Sequence, residues 1–419
     1  MDSVQSYNCG MSIFGTLKTM LQKTIAFLFL LGVFSCNGQP PMMSKPEPAL
    51  GENQVITGAE NMDKYLPLLR DKRVALLVNQ TARVGETHLV DTLLRRGIKI
   101  QKVFGPEHGF RGEADAGEHV DNATDKKTGL PVVSLYGSKK APGKEDLADV
   151  DVVIFDIQDV GVRFFTFISS LHYLMQACAD NDKDLIVLDR PNPNGWYIDG
   201  PVLKKEFQSF VGVDPIPVVH GLTVGEYANM VNSEGWLEGG KQCRLSVITC
   251  TGYRHKMHYS LPVKPSPNLP NDVAVYLYPS ICYFEGTDVS VGRGTDYPFQ
   301  VVGSPKVSDM AFSFTPESRP GAKTPPHLNE QCYGLDLRKV DTKKPGIDLS
   351  YLQKLYEAHS DKEHFFLANN FFEKLAGTSE LRKQITNKTP AGDIKAGWRK
   401  DLEDYKVKRR KYLLYPDFE

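Results

Sequence analysis

Residues 104–121 read Phe-Gly-Pro-Glu-His-Gly-Phe-Arg-Gly-Glu-Ala-Asp-Ala-Gly-Glu-His-Val-Asp, which sets three glutamates, two aspartates, two histidines and one arginine in a single stretch. No apolar face of helical or strand period absorbs them, so they belong to a loop. Carboxylates so placed can move protons, and carboxylates mixed with imidazoles can hold a divalent metal. Glu107 stands between Pro106 and His108, with glycines at 105, 109 and 112. Those residues fix tight backbone and remove bulk around the acid. Burial there would raise the carboxyl's pKa and suit it to donate a proton. The bland readings are a solvated acidic loop, or a Glu107 paired with Arg111.

Further acids follow other apolar runs. Residues 152–156 exit into Ile157-Gln-Asp-Val-Gly-Val-Arg163, and 185–188 into Asp189-Arg-Pro-Asn-Pro-Asn-Gly195. Glu285-Gly-Thr287 precedes the glycine-rich Gly292-Arg-Gly-Thr295. Carboxylates on separate segments suit glycoside cleavage: one protonates the leaving oxygen, the other acts as base, nucleophile or charge stabiliser. Their separation is about 5 Å for retention and about 6.5–9.5 Å for inversion. Glu107 is the candidate acid, and Asp159 and Glu285 are candidates for the second role. Arg163 and Arg293 could grip a substrate carboxylate bidentately. Asp156, ending a buried run, reads as a loop-orienting residue, and Asp189 beside Arg190 as an ion pair.

The elements that must position these groups alternate. Strand-like runs at 74–78, 98–104, 131–136, 152–156 and 185–188 are interleaved with helical patterns at 88–96 and 164–180. That order predicts an α/β fold with a Rossmann-like parallel sheet, whose strand exits converge on one edge. Thr223 and Glu226 form a capping box opening a helix to about 233, and 244–250 reads as another strand. The proline-rich 264–271 would cross the cleft, and 273–278 could be helix or strand. From about residue 300 the pattern becomes α+β, with helices expected at 349–358, 365–375 and 396–414, and the basic run 406–411 as a solvated helix face. The domains expected are thus 55–278, Rossmann-like and catalytic, and 279–419, smaller and α+β.

The formal charge of −1 over 419 residues offers no basic surface for nucleic acid. Gly137 to Lys144 resembles a phosphate loop, but it is one residue too long and Glu145 replaces the required hydroxyl. Gly-x-Ser-x-Gly and His-Glu-x-x-His are absent, and Gly292-Arg-Gly294 lacks the third glycine of a dinucleotide fingerprint. No nucleotide or other cofactor is expected. Cys178, Cys243, Cys250, Cys282 and Cys332 are too scattered for a zinc site or disulfide framework and read as buried thiols. Lys18 and Lys23 precede an apolar run ending at Phe34, then Ser35-Cys36. This is a lipoprotein-like signal peptide over 1–36, with Cys36 as the lipidation site and 37–54 as a tether. Phe34 is bulky for a lipobox, so simple cleavage is the alternative. An export signal implies the cell envelope and periplasm, with membrane attachment through the lipid.

Four motifs occur in order: Phe-Gly-Pro-Glu-His-Gly-Phe-Arg-Gly at 104–112, Phe-Asp-Ile-Gln-Asp-Val-Gly-Val-Arg-Phe-Phe-Thr at 155–166, Asp-Arg-Pro-Asn-Pro at 189–193, and Phe-Glu-Gly-Thr-Asp-Val-Ser-Val-Gly-Arg-Gly-Thr at 284–295. Together they resemble the NamZ-type exo-β-N-acetylmuramidase family from about residue 55 to the C-terminus. The resemblance implies a Rossmann-like domain followed by a smaller one, a cleft between them, and release of N-acetylmuramic acid from non-reducing ends of peptidoglycan fragments. It places the family's proposed catalytic glutamate on Glu107. It gives Arg163 or Arg293 the lactyl carboxylate of muramic acid. His108, Arg111, Asn192 and Thr295, which lie in these four motifs, are further substrate-binding candidates. Two other classes compete: a metal-dependent hydrolase using Glu107, His108, Asp115, Glu118, His119 and Asp121, and a non-catalytic sugar-binding lipoprotein.

Overall fold

Val74 to Val78 are fully buried. An apolar run with no wet face belongs at the centre of a parallel sheet, and Arg73–Val78 (β1) lies there. The computed structural model describes residues 54–107, 109–111 and 123–419. The other strands of the main sheet are Lys99–Gly105 (β2), Ala123–Thr124 (β3), Pro131–Ser134 (β4), Val152–Asp156 (β5), Asp184–Leu188 (β6) and Arg244–Ile248 (β7). Their order is β3-β4-β2-β1-β5-β6-β7. All pairs are parallel except β3 with β4. The chain runs outward from β1 through β2 to β4, then returns to the other side of β1 as β5. This is the doubly wound arrangement, with chemistry favoured at the carboxyl ends of the strands.

Helices Leu89–Arg95 (α1), Phe167–Asp180 (α2) and Val224–Ser233 (α3) provide crossovers. The capping box opening α3 is present: Thr223 Oγ1 accepts from the Glu226 amide at 3.3 Å, and Glu226 Oε2 accepts from the Thr223 amide at 2.9 Å. The segment that could be helix or strand is the helix Asp272–Ile281 (α4). Asn271 decides it, because its side chain caps the Ala274 amide at 3.1 Å. Beyond it lie a three-stranded antiparallel sheet, Val301–Ser304, Phe312–Phe314 and Cys332–Asp336, and the helices Ser350–Ala358, Phe371–Ala376, Glu380–Thr386 and Ala391–Arg409.

Two expectations for this part need correcting. The helix expected over 365–375 begins only at Phe371, because Phe365 and Leu367 pair their backbones with Asp288 and Gly286. The basic run 406–411 is not wholly solvated: Arg409 is fully buried and bonds the Gly221 carbonyl and the Asp417 carboxylate. Cys178, Cys243, Cys250, Cys282 and Cys332 are free and buried, as expected.

From Gln54 onward the described residues form one compact unit. The largest of the apolar cores among the described residues runs from Ala75 and Phe155 through Val275 and Ile281 to Leu355 and Trp398. The boundary read from sequence at 278/279 falls inside α4, which packs into that shared core.

The loop leaving β5 has no regular structure, yet residues 157–165 are all buried. Its turn is made at Gly161, with φ of 76°. A Cβ there would lie 2.1 Å from Asn192 Oδ1, so both the torsion and the space demand glycine. Gly161→Ala is expected to cost roughly 2–5 kcal/mol from left-handed strain and overpacking. Thermal denaturation would read this as a clear drop in Tm, and an unchanged Tm would mean that the loop is not fixed by this contact.

Candidate active site

The cleft at the carboxyl edge of the sheet encloses about 410 Å³. The sheet domain contributes Glu107 after β2, Tyr136 and Lys140 after β4, Phe164 to Phe167 after β5, and Phe210. Ser266 and Leu269, in the proline-rich crossing segment, form part of its wall. The C-terminal portion contributes Glu285, Arg293, Phe299 and Phe371. Two of the three candidate carboxylates, far apart in sequence, therefore face one hollow with aromatic walls, a composition suited to a sugar ring.

Glu107 sits on a turn closed by the Gly109 amide bonding the Pro106 carbonyl at 2.9 Å. Gly109 adopts φ of 77°. Beyond the turn, Phe110 is buried against the edge of the His88 ring. Arg111 grips Asp125 through two bonds of 2.9 and 2.8 Å. That guanidinium and the Thr128 hydroxyl hold the Asp125 carboxyl down to about 2. Arg111 is thus an anchor for the turn, pairing with Asp125 and Asp91 and not with Glu107. Glu107 Oε2 instead accepts from the Thr166 hydroxyl at 3.3 Å. Burial and the neighbouring Glu107 charge push the Tyr136 phenol up to about 12, so it stays a neutral donor.

Glu285 is presented by the single turn Cys282–Gly286 that continues α4. Arg293 Nε and Nη2 both reach its Oε1, at 2.9 and 2.7 Å, and the Cys282 thiol lies 3.3 Å from Oε2. The Arg293 guanidinium also stacks over Phe299 at 5.0 Å. The adjoining glycine-rich loop is shaped by close approach: at Gly294, with φ of 80°, a Cβ would lie 2.5 Å from the Glu317 carbonyl.

The other described sequence candidates do not line the cleft. Asp159 is buried, and its Oδ2 accepts from the Gly161 amide at 2.6 Å. It shapes the loop and does not line the cleft. Arg163 is fully enclosed and donates to the carbonyls of Pro201, Ile216 and Leu375 at 2.8, 2.8 and 2.9 Å, so it cannot reach a substrate carboxylate. Asn192 spends its amide on the Leu222 carbonyl and on the Asn194 amide. The Thr295 hydroxyl bonds the Gly292 carbonyl at 2.6 Å and accepts from the Tyr297 amide. Asp189 is not ion-paired with Arg190, whose guanidinium binds Asp156 instead. It accepts from Thr223, Gly225 and Tyr415, and burial raises its carboxyl to about 6. His108 and Cys36 lie outside the described residues, as do Asp115, Glu118, His119 and Asp121 of the metal reading. Among the described residues, no three His, Cys, Asp or Glu side chains cluster as metal ligands.

Sequence reasoning missed Tyr136, Lys140, Thr166 and Phe210. Lys140 lies in the very stretch that fails as a phosphate loop. Thr166 is the uncharged last residue of the motif at 155–166.

Arg163→Lys would keep the charge but leave at least one of the three carbonyls unpaired. The expected loss is about 2–4 kcal/mol of stability, with substrate KM unchanged in the folded fraction. Denaturant titration alongside kinetics checks both. A raised KM at unchanged stability would return Arg163 to the substrate site.

The family model described as "Exo-beta-N-acetylmuramidase NamZ, N-terminal" matches residues 74–273, and its C-terminal counterpart matches 276–415. The chain is 36% identical over 423 residues to the peptidoglycan beta-N-acetylmuramidase NamZ of Bacillus subtilis (strain 168), covering 94% of this chain and 100% of that protein. Two crystal structures of DUF1343 family proteins from Bacteroides fragilis NCTC 9343 share the fold. One is 47% identical with a TM-score of 0.81, the other 31% identical with a TM-score of 0.75, each match covering 87% of this chain and 99% of that one. By sequence over nearly its whole length, and by fold, the chain belongs to the NamZ family of exo-β-N-acetylmuramidases.

Proposed function

We propose that the chain releases N-acetylmuramic acid from the non-reducing ends of peptidoglycan fragments, with Glu107 as general acid and Glu285 as the second carboxylate. The observation that carries this reading is that Glu107 and Glu285, from separate parts of a NamZ-family chain, line one aromatic-walled cleft. Glu107 hands its proton to the glycosidic oxygen as the C1–O bond breaks. Positive charge then develops at C1 and the ring oxygen, and Glu285 supplies the opposing negative charge. A water adds to C1 as its proton returns to the Glu107 carboxylate, completing hydrolysis. Tyr136 and Thr166 orient the Glu107 carboxyl, and the phenylalanine walls exclude bulk water from the ring.

Hydrolysis of 4-nitrophenyl β-N-acetylmuramide tests the reading. Glu107→Gln should lower kcat by about 10²–10⁴-fold with an unchanged Tm; a loss of only a few-fold would move the acid elsewhere. Turnover by the wild type should survive EDTA. Inactivation by EDTA with rescue by a divalent ion would favour the metal hydrolase, and sugar affinity without turnover the binding module.

We also propose that residues 1–36 direct export and that Cys36 carries lipid, holding the enzyme at the cell envelope facing the periplasm. The apolar run flanked by Lys23 and Ser35-Cys36 supports this. Mass spectrometry of the mature N-terminus should find an acylated Cys36. An unmodified N-terminus would leave simple cleavage.

A further inference from the structure

Muramic acid differs from a neutral N-acetylhexosamine by its lactyl carboxylate, so an enzyme selective for it needs a cation in the right place. The structure removes one sequence candidate and restricts the other. Arg163 is enclosed on backbone carbonyls. Arg293 gives two of its nitrogens to Glu285. Among the described residues, one more cation lines the cleft. Lys140 Nζ lies 4.0 Å from the Phe210 ring centroid and 4.8 Å from that of Tyr136. The two aromatic faces hold the ammonium without neutralising it. Among the described residues no carboxylate lies within ion-pair distance of it, and Glu107 acts on it only through the longer-range field. Burial disfavours its charge, which an incoming carboxylate would relieve.

Resting on the muramidase reading, we infer that Lys140 binds the lactyl carboxylate of the terminal muramic acid and so sets the preference for muramyl over neutral sugars. The aromatic pair fixes the direction of its flexible stem. The proximity to Glu107 follows from the sugar itself: the lactyl group at C3 and the scissile bond at C1 belong to one ring, so their readers must share one hollow.

Isothermal titration with N-acetylmuramic acid and with its neutral lactyl amide measures this directly and can be read even in a slow variant. The wild type should bind the acid about 10- to 100-fold more tightly than the amide, the range of a hydrogen bond to a charged group. Lys140→Met should bring the acid down to the level of the amide, and Lys140→Arg should restore most of the difference. Equal weakening of both ligands, or no change in either, overturns the assignment. So does a preference that persists in Lys140→Met while the pH limbs of kcat move, which would make Lys140 a counter-charge for Glu107. Loss of the preference in Arg293→Lys but not in Lys140→Met would transfer the role to Arg293. A wild type that cleaves no muramide would overturn the muramidase reading itself, a result distinct from all of these.

Discussion

A buried loop cannot use water to satisfy its backbone, and residues 157–165 are buried without a helix or ladder of their own. Their partners are largely side chains. Thr81 Oγ1 accepts from the Gln158 amide, Asp159 from that of Gly161, and Asn194 donates to the Val160 carbonyl. Gln158 reaches across to the Pro191 carbonyl. This lattice locks the exit of β5 to the exit of β6. On its far side the chain emerges as Phe164 to Phe167, the wall of the cleft, with Thr166 on Glu107. The turn bearing Glu107 is therefore referenced to a buried polar network behind the cleft wall.

That network explains which parts of the site were legible in the sequence. The sheet could be read because five apolar runs of strand length alternated with helical patterns, and burial on both faces leaves few other options. Glu107 and Glu285 could be read because each sits in a glycine-bounded segment with no packing role of its own. Asp159, Arg163 and Asn192 look just as functional, being polar residues at strand exits beside glycine. They differ only in facing inward, and a linear pattern does not encode the direction of an irregular loop. Tyr136 and Lys140 pose the opposite problem. A tyrosine at the end of a strand and a lysine in a polar stretch are common, and only the fold brings their rings and charge beside Glu107.

The pairing of acids with neighbours also divides the cleft into two unlike halves. Glu285 faces a guanidinium and a thiol, whereas Glu107 faces a hydroxyl, a neutral phenol and an ammonium held over rings. Two carboxyls in different surroundings can take different parts in one reaction, and that asymmetry matters more than their mere proximity.

The helix Asp272–Ile281 belongs to the core of both portions and leads directly into the turn bearing Glu285. Arg163 adds a second tie, from the β5 exit to the Leu375 carbonyl. The two walls are thus built on common beams and not hung on a hinge. In lineages that shuffle parts of such enzymes, a cut placed at this junction would separate an acid from the scaffold that aims it. The two portions should therefore be inherited together, with novelty confined to the rim.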